Sequence, residues 1–123
     1  MKHLNKSIGD NSEKIAQKFL LKKGYHILDY NFRNRFGEID IICSKNNLLI
    51  IVEVKSRYST QYGTPKESVN YLKQQSIINV TRSYLLYRNI HNKNIRFDVI
   101  EIYLNHQNNS YTINHIKDAF RLN

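Results

Sequence analysis

The stretch from Gly37 to Lys55, GEIDIICSKNNLLIIVEVK, constrains the fold of this chain more than any other. It consists of two runs rich in β-branched residues, which favour extended strands, on either side of Asn46-Asn47. Asparagine tolerates the positive φ angles that a two-residue hairpin turn requires. The sequence therefore predicts an antiparallel β-hairpin with Asn46 and Asn47 at its turn.

The predicted turn also sets the pairing of four charged residues. With a two-residue turn, Asp40 faces Glu53 and Glu38 faces Lys55. Because side chains alternate along a strand, we expect these charges on one face for chemistry and four apolar residues on the other face for the core. The apolar residues are Ile39, Ile41, Val52 and Val54.

The Asp40 and Glu53 pair suggests a cation site. Directly opposed side chains have Cβ atoms about 4.5–5.5 Å apart, and carboxylate oxygens are the ligands that Mg²⁺ prefers. Without a cation the two like charges would repel each other. The other interpretation is a solvated strand face on which Glu38 and Lys55 form a surface ion pair, which contributes little to stability.

Composition narrows the class of partner. The 123 residues suit a single domain, 1–123, and the formal charge of +9 predicts an anionic partner. Nucleic acid is favoured over a membrane because the chain has no basic amphipathic helix and no long apolar run, and the absence of a signal-peptide pattern predicts a cytoplasmic protein. The single cysteine, Cys43, is expected to be a buried apolar residue, and the histidines lack zinc-ligand spacing.

Local signals place further elements around the hairpin. Apolar residues at helical spacing predict a first helix from about Ser12 to Lys23 with Gly24 as its stop, after an irregular segment over residues 1–11. A strand over Tyr25–Phe32 and a basic connection over residues 31–37 then lead into the hairpin.

The second half of the chain begins with a polar loop, predicted over residues 56–63. Thr64-Pro65-Lys66-Glu67 is typical of a helix start, and this helix is predicted to end near Tyr87 with Leu72 on its inward face. A strand over residues 95–104, a short strand from residue 111 and a final helical turn follow. The order α-β-β-β-α-β, with a further short strand, predicts an α/β fold with a mixed sheet, in which the second helix joins two parallel strands.

Several charged residues outside the hairpin have two interpretations each. Glu13 is either a carboxylate directed toward the hairpin acids or part of a capping box with Asp10. Lys73 either extends its apolar stem along the helix or points at an anion. Arg33 and Arg35 either contact phosphates or lie in a solvated loop.

The same residues carry a resemblance to known proteins. An acid at a strand end, an acid-x-Lys on the next strand and a glutamate on the preceding helix resemble the PD-(D/E)xK nuclease superfamily, which has the restriction-endonuclease-like fold. More narrowly, the chain resembles the YraN-like family of small bacterial endonuclease-like proteins over about residues 8 to 103. The matching segments are Asn31-Phe32-Arg33, Gly37-Glu38-Ile39-Asp40, Val52-Glu53-Val54-Lys55-Ser56-Arg57, Lys73 and Arg96-Phe97-Asp98-Val99-Ile100.

The resemblance implies a nuclease site on the hairpin. Asp40, Glu53 and the Val54 carbonyl would hold Mg²⁺ or Mn²⁺, Lys55 would act near the attacking water, and Glu13 would belong to the same site. Contacts with nucleic acid are expected from a set of basic residues, Arg33, Arg35, Arg57 and Lys73. The chain departs from the superfamily pattern at Ile39, where proline is usual, and at Ser12, where glycine is common.

The expected activity is metal-dependent endonucleolytic cleavage of DNA, including branched or damaged DNA. The alternatives are a catalytically inactive nucleic-acid-binding module and an accessory partner in a DNA-processing assembly. A homodimer is a further expectation from nucleases of this fold, although the sequence has no interface signature.

Overall fold

The chain folds into a five-stranded sheet with one helix against each face. The computed structural model describes residues 2–58, 69–105 and 110–122, with side chains from residue 11 onward. Its elements are α1 (Lys2–Lys22), β1 (His26–Asn34), β2 (Gly37–Lys45), β3 (Leu48–Tyr58), α2 (Tyr71–Tyr87), β4 (Asn94–Leu104) and β5 (Tyr111–Phe120). The predicted order is confirmed, including the further strand at the end.

The sheet is mixed, with strand order β1-β2-β3-β4-β5. Neighbouring strands are antiparallel except for β3 and β4, which are parallel and are joined through α2. A parallel pair needs a long crossover, which a helix supplies. The predicted parallel pairing across the second helix is therefore confirmed.

The hairpin turn lies where the sequence predicts it. Asn46 and Asn47 have φ angles of 51° and 64°, as a two-residue turn that matches the strand twist requires. The predicted register holds from Lys45 paired with Leu48 as far as Ile41 paired with Val52.

Both faces of the hairpin are buried, so the prediction of one core face and one chemical face is wrong. Leu49 and Ile51 pack in the cluster beneath α2, whereas Ile50 and Val52 pack in the cluster beneath α1. A strand covered by helices on both sides has a nearly continuous apolar sequence, as Leu48–Val52 does.

The four apolar residues that we assigned to one face are also divided between the two clusters. Ile39 packs in the α2 cluster, whereas Ile41, Val52 and Val54 pack in or against the α1 cluster. The simple alternation along β2 is therefore interrupted between Ile39 and Ile41, next to Asp40.

Three predicted boundaries in the first half of the chain are wrong because regular structure extends further than local signals suggest. The helix begins at Lys2, with no proline to interrupt it, so residues 2–11 are helical and not an irregular segment. The first strand continues to Asn34, within the expected connection. β3 continues to Tyr58 because its pairing with β4 extends to Leu104.

The second helix begins later than predicted. Asn70 caps α2 by accepting a hydrogen bond from the Lys73 amide at 2.8 Å, while the predicted cap at residues 64–67 lies outside the described residues. The helix turns Val80 and Tyr84 inward but leaves Leu72 79% exposed, so the inward assignment of Leu72 is wrong.

The last part of the chain is a strand, and the expected final helical turn is wrong. β5 pairs with β4 from Leu104 and Tyr111 to Phe97 and Phe120, with one irregularity in the register. Because this pairing supplies partners for the backbone of residues 111–120, the segment extends well beyond the short strand that was predicted.

Candidate active site

The hairpin strands separate at one end, and Asp40 occupies the gap. Its Oδ2 accepts a hydrogen bond of 2.8 Å from the backbone N–H of Val54, just beyond the last described pair of Ile41 and Val52. A side chain here takes the place of a backbone acceptor in the ladder, and this bond holds Asp40 against β3.

Three carboxylates from two elements meet at this gap. Glu13 of α1, Glu38 and Asp40 each offer an oxygen atom, and these three atoms all lie within 4.8 Å of one another. All three residues are partly buried. Glu13 is well inside α1, so the capping-box interpretation is wrong and the helix presents this side chain to the hairpin acids instead.

Glu53 approaches Asp40 from β3. Burial, followed by repulsion from Glu53 and Glu38, raises the pKa of Asp40 to about 7, although the Val54 amide and Lys73 favour its charged form. Burial also raises the pKa of Glu53, against the opposing effect of Lys73 and Lys55. The predicted proximity of the Asp40 and Glu53 carboxyls is therefore present, in a setting that disfavours two negative charges.

The nearby cations differ in how they are held. Lys73 Nζ lies 3.8 Å from Glu53 Oε1, and the Lys73 side chain is 44% exposed. Of the two interpretations of Lys73, the structure therefore agrees with the one in which it points at an anion. Arg33, which is 73% exposed, pairs with Glu38 at 3.0 Å. Among the side chains that the structure describes, Glu38 forms its ion pair with Arg33 and not with Lys55, so the surface ion pair of the other interpretation of the hairpin is not found.

Two other predicted basic residues lie apart from these carboxylate pairs. The Arg35 guanidinium lies 4.9 Å from the centre of the Phe36 ring at the turn between β1 and β2. Arg57 is only 14% exposed and pairs at 3.2 Å with Glu101, which is buried. Glu101 thus compensates the charge of Arg57 inside the protein. This ion pair accounts for the position of the Arg57 side chain without a contact to nucleic acid.

A hydrogen bond fastens α1 to β3 beside the carboxylates. The hydroxyls of Ser12 and Ser56 are 2.5 Å apart, and Ser12 is 1% exposed. Ser12 immediately precedes Glu13, so this bond fixes the part of α1 that carries the carboxylate. Position 12 is commonly glycine in the superfamily pattern. In this chain it is serine, and its hydroxyl adds a polar contact between α1 and β3.

A second contact holds the start of β2. Ser76 of α2 donates a hydrogen bond to the Phe36 carbonyl at 2.5 Å, and Gly37 has a φ of 148°. A Cβ atom at residue 37 would collide with the Ser76 hydroxyl. Gly37 therefore allows α2 to approach the strand that carries Glu38 and Asp40.

The donor set suits a hard divalent cation. Carboxylate oxygens are preferred by Mg²⁺ and Mn²⁺, and a cation would relieve the repulsion that raises the pKa of Asp40. Three carboxylates converge, Glu13, Glu38 and Asp40, whereas the predicted metal ligands were Asp40, Glu53 and the Val54 carbonyl. The Val54 N–H donates to the Asp40 carboxylate, and the metal role of the Val54 carbonyl stays a prediction. The signal for Glu38 in the sequence was its place in the same acidic stretch, two residues before Asp40.

Comparison with known proteins identifies the family. The sequence profile of the Uncharacterised protein family UPF0102 matches residues 12–102. The chain belongs to this family. UPF0102, also called the YraN family, is part of the restriction-endonuclease-like superfamily, as the resemblance of the hairpin motifs predicted.

Similar UPF0102 proteins occur in several clostridia. The chain is 63% identical to a UPF0102 protein of Clostridium beijerinckii over 123 residues, which is 100% of both chains. It is 58% identical to one from Clostridium botulinum over 98% of this chain and 99% of that protein, and 48% identical to one from Clostridium acetobutylicum over 99% and 100%. Among the helices of the described part of the chain, none is long and apolar enough to cross a membrane.

Proposed function

We propose that this UPF0102 protein is a divalent-metal-dependent endonuclease that hydrolyses phosphodiester bonds in DNA. The observation that carries the proposal is the convergence of Glu13, Glu38 and Asp40 within 4.8 Å. Glu53 and Lys55 lie on the adjoining strand β3, and Lys73 approaches Glu53 from α2. Such a concentration of partly buried acid is costly in a folded protein unless it binds a cation. The net charge of +9 supports a polyanionic substrate.

The carboxylates of Asp40, Glu38 and Glu13 would hold Mg²⁺ or Mn²⁺, with Glu53 beside them. When bound, the metal supplies Lewis acidity toward a phosphodiester oxygen and lowers the pKa of water. The hydrogen bond from the Val54 amide keeps Asp40 oriented toward the gap.

The lysines would act on the substrate side of the site. Lys55 and Lys73 both favour the charged form of Glu53. Lys55 would orient the attacking water and offset charge that develops on the phosphate, as preorganised cations do in phosphoryl transfer. Lys73, nearly half exposed, would exchange its contact with Glu53 for one with a phosphate oxygen, and Arg33 would do the same at the rim.

One observation favours an inactive nucleic-acid-binding module as the second candidate. Lys73 pairs with Glu53 and Arg33 pairs with Glu38, so the protein itself partly compensates two of the four acids. If these pairs persist when nucleic acid binds, the cluster is an ion-pair network and not a metal site.

A cleavage panel tests the proposal. Wild type, Asp40→Asn and Glu53→Gln are incubated with linear, single-stranded, flapped and four-way DNA and RNA in Mg²⁺, Mn²⁺ or EDTA. Asp118→Asn is the matched control, because Asp118 lies on β5 and pairs with the exposed Arg121. We expect metal-dependent cleavage by wild type and the control and none by the site variants.

The outcomes separate the candidates. If wild type cuts no substrate with either cation, the endonuclease proposal fails. Binding with a steep salt dependence would then support the inactive module.

A further inference from the structure

A basic pocket lies at the other end of α1, remote from Glu13. Its volume is about 230 Å³, and it lies between the end of α1, the end of β2 and β5. The lining residues are Phe19, Lys23, Tyr25, Lys45, His115 and Lys117. None of these residues belongs to the carboxylate site.

Aromatic rings and a backbone carbonyl hold two of the ammonium groups in place. Lys45 Nζ donates a hydrogen bond of 2.6 Å to the Lys23 carbonyl and lies 4.8 Å from the centre of the Tyr25 ring. Lys23 Nζ lies 5.7 Å from the centre of the Phe19 ring. Since an ammonium has three donors, Lys45 retains donor capacity while its position is fixed.

The lysines that line the pocket have no acidic partner of their own in the described part of the chain. Over the described residues, no carboxylate lies within ion-pair distance of Lys23, Lys45 or Lys117. The buried acid on this side, Asp98, is bound by Arg96 at 2.8 Å and by His115 Nε2 at 2.7 Å. Three lysines therefore line a small cavity with an excess of positive charge, which is a suitable environment for an anion.

We propose that this pocket binds a phosphate group of the nucleic acid on which the carboxylate site acts. This inference rests on the proposed function for the choice of ligand. Pockets for whole cofactors or drug-sized ligands occupy about 300–1,000 Å³, so a cavity of about 230 Å³ suits a phosphate with part of its sugar. Ammonium groups bind phosphate as point charges and do not read sequence.

The pocket lies at a defined distance from the carboxylates. The ten residues from Glu13 to Lys23 span about 15 Å of helix, and the five from Asp40 to Lys45 span about 17 Å of strand. One strand of B-form DNA carries a charge about every 3.4 Å along the axis, so the separation corresponds to about four to five nucleotides. The pocket would thus anchor the substrate a few nucleotides from the bond that is cut.

The test measures binding without metal, so cleavage does not enter. Lys23→Gln/Lys117→Gln removes two exposed pocket charges and leaves Lys45 in place. The matched control is Lys18→Gln/Lys22→Gln, which removes two exposed lysines of α1 that do not line the pocket. Affinity for a short fluorescent DNA duplex is measured in EDTA over a series of salt concentrations, after circular dichroism has verified equal thermal stability.

We expect the pocket variant to bind about tenfold more weakly and to lower the slope of log K against log salt by about one, as the loss of one phosphate contact does. The control should retain the wild-type slope. Equal effects of the two double variants would overturn the proposal, because they would show a diffuse charge effect.

Amide chemical shifts give a second, independent measurement. Titration of the metal-free protein with a nucleoside 5′-monophosphate should shift the resonances of Tyr25, Lys45 and His115, and the same nucleoside without phosphate should not. Shifts confined to other residues would overturn the proposal. If the protein shows the pocket effects but cuts no substrate, only the proposed endonuclease activity is refuted. If the protein cuts DNA but shows none of these effects, only the proposed phosphate binding by the pocket is refuted.

Discussion

Replacement of Asp40 by asparagine should stabilise the metal-free protein at pH 8 while it abolishes cleavage. Burial and the repulsion from Glu53 and Glu38 raise the pKa of Asp40 to about 7. The folded protein therefore ionises this carboxyl at a free-energy cost. Asparagine carries no charge and still offers an oxygen to the Val54 N–H, so the hydrogen bond can remain while the repulsion disappears.

The magnitude follows from the pKa. An increase from 3.8 to about 7, at about 1.4 kcal/mol for each tenfold change in proton affinity, corresponds to about 4 kcal/mol at most. Because Glu53 shares part of the repulsion and the asparagine side chain is also partly buried, we expect Asp40→Asn to raise the free energy of unfolding by about 2 kcal/mol. A raised pKa in an acid means that the unfolded chain loses its proton first. Wild-type stability should therefore decrease from about pH 4 to about pH 7, and the advantage of Asp40→Asn should be full above pH 7.

Urea unfolding in EDTA at pH 4 and at pH 8 measures this difference, with Asp118→Asn as the control for loss of a remote carboxylate. Mg²⁺ at pH 8 should shift the wild-type midpoint upward by linkage and should leave Asp40→Asn nearly unchanged. If Asp40→Asn is less stable than wild type at pH 8, or if its advantage is the same at both pH values, the electrostatic reasoning is refuted.

Three further predictions concern the packing around the site. Gly37→Ala should destabilise the protein by about 1–3 kcal/mol in urea unfolding, because the backbone has positive φ and the Ser76 hydroxyl occupies the space of the added methyl group; wild-type stability in this variant would contradict the described approach of α2. Asp98→Asn should cost about 3–5 kcal/mol, because it leaves the buried Arg96 pair incomplete, and an unchanged unfolding midpoint would show that the pair contributes little. Ser56→Ala should cost about 1 kcal/mol and slow cleavage more than it weakens DNA binding in EDTA, whereas equal losses in both assays would show that the bond to Ser12 does not position the site.

Acid should weaken the Asp98 cluster in the opposite sense to Asp40. Burial alone raises the pKa of Asp98, but hydrogen bonds from His115, Arg96 and the Asp118 amide hold it below its ordinary value. A lowered pKa contributes stability above the unfolded value, and this stability is lost as the pH falls. The stability of Asp98→Asn should therefore depend less on pH below about 4 than that of wild type, and an identical acid dependence would contradict this assignment.

Local sequence was sufficient for the hairpin and the order of the elements. Asn46-Asn47 predicted the turn because few residues adopt two consecutive positive φ angles, and the turn then dictated which residues pair as far as Ile41 and Val52. The helical spacing ahead of the hairpin and the crossover helix after it predicted the mixed sheet. These features depend on interactions between residues close in sequence.

Only the tertiary structure decided which carboxylates lie together in the site. The sequence alone determined that acids crowd one end of the hairpin, but it paired Glu38 with Lys55 and left Glu13 between two roles. The structure turns Glu38 toward Glu13 because α1 packs on the sheet through Ala16 and Leu20 and is held by the bond between Ser12 and Ser56. Packing between elements far apart in sequence decides which carboxylates converge, because no local pattern specifies the angle at which a helix meets a sheet.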